Sequence, residues 1–425
     1  MPALLIKNGR VIDPNSDHDA VADVLITDGI ITGVGQNLTA AGAEIFDATG
    51  MIVAPGFIDM HVHLREPGFE HSETIETGSR AAAAGGFTSI CPMPNTAPVN
   101  DSKTVTTYIV ERARRHAVVN VFPIGAITKG SAGEELAAIG SMKQAGAVAI
   151  SDDGRPVMNA RVMRRAMEFA KGFNIPVINH CEDLHLSAGG DMHEGLESVR
   201  LGLRGIPGVS EDVMVARDIL LAELTGARYH VAHISSAHSV AMVAYAKARG
   251  LAVTAEATPH HLTLSDTDMT PYDSSFKMKP PLRSRKDVNG VVEGIVSGAV
   301  EVIATDHAPH PGDEKMQEFE RCPFGILGLE TAIGISLEQL VHNGKISLRR
   351  LVELFTVNPA RVLGINRGTL AASAPGDVTV FSTDNEWTYD VNKSFSKSRN
   401  TPFDGKTFRG GPLATIVNGE IVWRA

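Results

Sequence analysis

The chain has 425 residues, 43% of them hydrophobic, which is enough for one large domain with a smaller one beside it. A formal charge of −10, with Lys and Arg scattered rather than clustered, argues against a nucleic-acid or polyanion surface, so an anionic ligand needs a local cationic site. Cys91, Cys181 and Cys322 lie far apart and cannot all pair, there is no signal-like leader or long apolar run, and a reducing, cytoplasmic setting is expected.

From residue 3 to about 55 the pattern is short and alternating, as in "LLIKNGRVID" and "ADVLITDGIITGVG", with Asn8-Gly9 and Asp28-Gly29 as hairpin turn signals. Between about 56 and 365 apolar strands alternate with helical stretches. The strands are "GFIDMHVH", "GFTSICPM", "VNVFPIGA", "GAVAISDD", "IPVINHCE", "RYHVAHIS", "AVTAEATP" and "VEVIATDH"; helices include "SETIETGSRAAAAGG" and "SVAMVAYAKARG". Eight such units predict an α/β fold, a (β/α)8 TIM barrel. The C-terminus returns to alternation in "GDVTVFSTD" and "ATIVNGEIVWRA", with a further turn at Asn418-Gly419. A small β-sandwich built from both termini (1–55 with 366–425) is therefore expected beside a barrel at 56–365, and the polar segment 384–411 is expected to be a long ordered loop.

Side chains alternate along a strand, so His61 and His63 point the same way and can hold one ion. His180 ends the strand "IPVINH", His233 ends "RYHVAH", Asp153 follows "AVAIS" and Asp306 follows "VEVIAT". In a barrel these C-terminal strand ends converge on one mouth, where active sites form. Imidazole and carboxylate donors without thiolate suit zinc or a similar divalent ion. Two ions need a bridge, for which Asp153 is the first choice, with Asp152 the alternative because neighbouring strand residues face opposite sides. Arg65, two residues past His63, can clamp a carboxylate in a bidentate pair, or else pair with Glu66 at the surface. Asn95 is either a site residue or the start of an Asx-turn, and His310 either faces the mouth or is an ordinary loop histidine. His260 and His261 fall past a strand end and are read as structural, and His307 should face away from the metal as a supporting residue. His71, His116, His185, His193, His238 and His342 lie in helical or loop stretches and carry no catalytic expectation.

The segments "DMHVHLREPG", "MPNTAPVND", "SDDG", "HCED", "TAEATPHHL", "ATDHAPH" and "PFGILGLET" together resemble the bacterial class I dihydroorotases of the amidohydrolase superfamily. The resemblance runs from about 50 to 365. It implies that His61, His63 and Asp306 hold one zinc, that His180 and His233 hold a second, and that Asp153 bridges them, so that one or two zinc ions are expected. It also implies that Arg65, Asn95 and His310 hold a substrate carboxylate, and that Phe324 and Gly325 offer backbone groups to a ring amide. Lys279, in "KPPLR", stands where the family has a substrate-contacting asparagine. Asp306 would carry the proton of a reversible cyclisation of N-carbamoyl-L-aspartate to L-dihydroorotate, a step of pyrimidine biosynthesis. The alternatives are another cyclic amidohydrolase, allantoinase or dihydropyrimidinase, in which a carboxylated lysine bridges the ions and for which Lys129 is the remaining candidate, or a weakly active homologue that partners aspartate carbamoyltransferase. A homo-oligomer, a dimer, is expected, with association with that transferase as a further expectation.

Overall fold

The computed structural model describes residues 3–425, built from a β-rich terminal region and a (β/α)8 barrel. Both chain ends enter one eight-stranded sheet. Its order is Glu420–Arg424, Thr407–Val417, Val378–Thr388, Ile52–Pro55, Leu4–Asp13, His18–Thr27 and Ile30–Gly35, with Glu44–Asp47 on the free part of Leu4–Asp13. Ile52–Pro55 is the seam, antiparallel to Val378–Thr388 and parallel to Leu4–Asp13. Alternate side chains from both sides, among them Leu4, Ile6, Val24, Val53, Val380 and Ile416, bury into one cluster.

The eight barrel strands fall where the apolar runs predict them: Phe57–Val62, Phe87–Pro92, a third interrupted at Pro123, Ala149–Ile150, Val177–Asn179, Tyr229–Val231, Val253–Ala257 and Val302–Ile303. The third splits into Asn120–Val121 and Ile124–Gly125 because a proline has no N–H for the ladder. Closure between the last and first strands is carried by the His63 N–H donating to the His307 carbonyl at 2.9 Å and by Thr305, whose N–H donates to the buried Asp59 carboxylate at 3.1 Å. The predicted helices appear at Ile75–Ala84, capped by Thr74, and at Ala237–Ala248, capped by Ser236.

One local expectation is corrected and another holds over a shorter span. Asn8-Gly9 is no hairpin turn: Leu4–Asp13 runs through it as one strand with a bulge, Asn8 taking φ 61°, and a Cβ on Gly9 would stand 2.4 Å from a Val53 methyl. The other two turns form as expected, Asp28-Gly29 at φ 51° and 76° and Asn418-Gly419 at φ 48° and 80°. The segment 384–411 is an ordered loop over 389–406, as expected, while its ends, 384–388 and 407–411, belong to the strands Val378–Thr388 and Thr407–Val417, which pair through a register shift.

The terminal sheet meets the barrel floor through aromatic stacking. Phe57, fully buried at the start of the first barrel strand, lies 5.1 Å from Phe355 and 5.6 Å from Phe381 of the terminal sheet between ring centroids. Phe57→Ala should therefore destabilise the chain by about 3–5 kcal/mol, read as a lower midpoint in denaturant unfolding with activity retained in the surviving folded fraction.

Candidate metal centre and substrate cavity

Strand ends deliver the donor atoms. His63 Nε2 is 2.9 Å from Asp306 Oδ1 and 3.6 Å from Asp153 Oδ2, while His61 Nε2 is 3.4 Å from Asp153 Oδ1 and 3.5 Å from Asp306 Oδ1. His180 Nδ1 and His233 Nε2 face each other at 2.9 Å, at 3.8 and 3.7 Å from the same Asp153 Oδ1. Three overlapping triads of ligand atoms result, His61/His63/Asp153, Asp153/His180/His233 and His61/His233/Asp306. Asp153 belongs to two of them and lies between the His61/His63 pair and the His180/His233 pair. His233 and Asp306 take φ values of 31° and 48°, and Arg65 59°, left-handed conformations that cost energy and turn these side chains into the mouth.

The donor set fits divalent metal. His61 Nε2 and Asp153 Oδ1 are buried polar atoms with no hydrogen-bond partner, both aimed into the cluster. Burial opposes ionisation of Asp153 and Asp306, yet His61, His63 and His233 hold both carboxyls well below the usual range, so both are charged at neutral pH as ligands must be. Burial alone would depress His61; Asp306, Asp153 and Glu256 instead raise it well above the ordinary imidazole value.

A cavity of about 320 Å³ opens above the cluster, lined by His63, Arg65, Asn95, Asp153, His180, His233, Lys279, Asp306, His310 and Phe324 among others. Arg65 packs, half-buried, against the loop that carries His310, its Nε donating to the Pro309 carbonyl at 3.2 Å and its Nη2 lying 3.2 Å from His310 Nε2. Burial lowers its pKa to about 10, which leaves it cationic at neutral pH. Its surface alternative is closed, since Glu66 pairs with Arg112 at 2.6 Å. Asn95 spans the site, Oδ1 3.0 Å from His63 Nδ1 and Nδ2 donating to Asp153 Oδ2 at 3.3 Å.

Several residues are settled by geometry. Asp152 faces away, accepting from Ile127 and Thr128 N–H at 2.8 and 3.1 Å. Lys129 sits on a surface turn paired with Glu135, 58% exposed, and is not a bridging lysine. Gly325 stands next to Phe324 at the cavity wall; its N–H donates to the Lys277 carbonyl and its own carbonyl accepts from Lys315 and Asn400. His261 is held between Thr258 and the Pro280 carbonyl, and His307 Nδ1 accepts from the Gly328 N–H with its Nε2 facing Glu73 at 3.5 Å.

A family profile described as Dihydro-orotase-like matches residues 50–239. A dihydroorotase of Solibacter usitatus is 71% identical over 99% of this chain and 98% of its own length, and one from Pelotomaculum thermopropionicum is 55% identical over the same shares. The chain belongs to the dihydroorotase family. Among solved structures, the L-hydantoinase (dihydropyrimidinase) of Arthrobacter aurescens superposes with a TM-score of 0.89 at 25% identity, covering 100% of this chain and 96% of that one.

Around the shared dihydroorotase-family motifs lie supporting groups that sequence reasoning missed. Glu256, fully buried in the seventh strand, takes His61 Nδ1 at 2.7 Å and His230 Nε2 at 3.2 Å; burial opposes its charge, but the two imidazoles bring its pKa down to about 2. A glutamate within the apolar run "AVTAEAT" is the signal that marks it. Glu182 does the same for His180 Nε2 at 2.8 Å, its other oxygen 2.8 Å from Lys279 Nζ. Because such partners fix ring orientation and tautomer, Glu256→Gln should weaken metal affinity about ten- to a hundredfold, measured by chelator competition. Loading metal onto the stripped protein at neutral pH should also release protons, since charged imidazoles become ligands; calorimetry in buffers of different ionisation enthalpy reads this directly.

Proposed function

We propose that this chain is a class I dihydroorotase that interconverts N-carbamoyl-L-aspartate and L-dihydroorotate in pyrimidine biosynthesis, using one or two zinc ions held by His61, His63, Asp153, His180, His233 and Asp306. The observation that carries the substrate is Arg65. A half-buried guanidinium faces the cavity beside the donor cluster, and among the described residues no carboxylate lies within ion-pairing distance of it. An anionic substrate supplies that partner, whereas a neutral cyclic amide such as dihydrouracil covers the charge and leaves it uncompensated.

Zinc, when bound, polarises the amide carbonyl and acidifies water. The remaining steps belong to the chain. Arg65, with Asn95 and His310 around it, grips the substrate carboxylate and so orients the ring over the donor cluster. Asp306, ionised and 2.9 Å from His63, takes the proton of the attacking water at a carboxylate oxygen and delivers it to the leaving ring nitrogen. Cyclisation runs the same transfers backwards. Lys279, 2.8 Å from Glu182 and 5.2 Å from the Phe324 ring centre, puts a cation on the cavity wall in place of the family's asparagine. Phe324 closes that wall with its ring.

The same reading divides the chain into a terminal β domain (1–55 with 366–425) and a catalytic barrel (56–365). It places the protein in the cytoplasm as a homo-oligomer able to associate with aspartate carbamoyltransferase; no helix among the described residues is long and apolar enough to cross a membrane.

Purified protein should open L-dihydroorotate and leave dihydrouracil and allantoin untouched. Arg65→Met should lower kcat/KM for dihydroorotate about a hundred- to a thousandfold, and Asp306→Ala about 10²- to 10⁴-fold. Equal turnover of dihydrouracil and dihydroorotate would contradict the assignment.

A further inference from the structure

Two lysines lie buried beneath the cavity wall, and neither has a part in the chemistry described above. Lys277 is 2% exposed and Lys315 7%. A buried ammonium is costly unless something answers its charge. Lys277 is answered: its Nζ lies 3.6 Å from Asp191 Oδ1 and stands 5.2 and 4.6 Å from the ring centres of Phe319 and Phe324. Lys315 is not. Among the described residues no carboxylate lies within ion-pairing distance of its Nζ, which donates instead to two backbone carbonyls, Pro323 at 2.9 Å and Gly325 at 3.2 Å.

Those two carbonyls flank Phe324, whose ring closes the cavity wall. A single ammonium therefore ties the backbone on both sides of that ring, which its three diverging N–H donors allow and an alkyl or thioether chain of similar volume does not. The neighbouring bonds are neutral: the Gly325 N–H donates to the Lys277 carbonyl at 2.9 Å, and Asn400 Nδ2 shares the Gly325 carbonyl at 3.0 Å. A neutral amide also holds a carbonyl, without the cost of burying a charge, so the charge of Lys315 calls for a use of its own.

That charge is felt at the carboxylate clamp. Lys315 closes the short helix Gly312–Lys315, which follows His310. His310 Nε2 faces Arg65 Nη2 at 3.2 Å, and its Nδ1 faces Glu314 Oε2 at 3.2 Å. A guanidinium only donates, so Nε2 is the acceptor and the ring is neutral, with its proton on Nδ1 toward Glu314. Burial, then Arg65, then Lys315 hold the His310 pKa down to about 2 and so preserve this form. Lys315 itself does not line the cavity. It sets a second positive charge behind Arg65, where the substrate carboxylate lands, without touching the substrate.

We propose that Lys315 is a positioning residue for the anionic substrate, fixing the backbone around Phe324 and adding a buried positive charge behind the Arg65–His310 clamp. The inference rests on the dihydroorotase reading above. Steady-state kinetics of the zinc-loaded full chain test it. Lys315→Met, of similar volume, should raise KM for L-dihydroorotate about ten- to a hundredfold with kcat little changed. Lys315→Gln, which keeps a donor but no charge, should also raise KM, and it serves if the methionine variant fails to fold by thermal melt. The wild type carries its own signature. Burial brings the Lys315 pKa down to about 8, with Lys277 acting in the same direction and Cys322 and Asp273 against it. The ammonium is therefore present below pH 8 and lost above it, and KM should climb through that pH, ahead of the loss of Arg65 at about 10. Both variants should lack this limb, which assigns it to Lys315 rather than to Lys277. Folded variants with wild-type KM, a loss of kcat at unchanged KM, a wild type without the limb, or a limb that survives in the variants each overturns the inference while leaving the dihydroorotase reading intact. A wild type that leaves L-dihydroorotate unopened overturns both.

Discussion

Asp153 is a carboxylate at the floor of a cavity, its Oδ1 at 3.4 Å from His61, 3.7 Å from His233 and 3.8 Å from His180. An isolated ionised carboxylate in such a place is costly enough that it would ordinarily take up a proton instead. Here the surrounding imidazoles reverse the outcome and keep it charged. Everything about the mouth follows from accommodating that charge: four histidines on three strand ends, Asp306 as a second anion, and Glu256 and Glu182 behind the rings to balance the imidazoles in turn. Lys129, paired with Glu135 on the surface, stays clear of this cluster.

The barrel was readable because its strands are apolar runs whose polar residues gather at one end, a pattern that periodicity reports directly. All eight runs became strands, and the six expected ligands came together from five of them. Asn8-Gly9 misled because a turn-forming pair is equally at home in a bulge, and the tight approach of Val53 to Gly9 decides for the bulge only once the sheet is assembled.

The least legible part was the polar segment 389–406, which looks like an excursion of the terminal region and in fact braces the barrel mouth. Asn400 donates to the Ala308 and Gly325 carbonyls at 2.9 and 3.0 Å and accepts from the His310 N–H at 3.1 Å, so it holds the loop against which Arg65 rests. Ser398 Oγ donates to the Ser72 carbonyl at 2.8 Å, and Ser396 bonds Glu73. These contacts join residues more than 300 apart in several cases, and nothing in local composition signals a bond that depends on the closed tertiary structure. The terminal region thus bears on the site from two directions, through Phe381 against Phe57 at the floor and through Asn400 at the mouth.

Anomalous diffraction from crystals of the zinc-loaded protein, collected on both sides of the zinc absorption edge, tests most directly whether Asp153 organises the centre. The expected map shows anomalous density in contact with an Asp153 carboxylate oxygen and with histidines from the surrounding cluster. Density bound to other residues with Asp153 left outside it, or a modified lysine in its place, would contradict this view of the site.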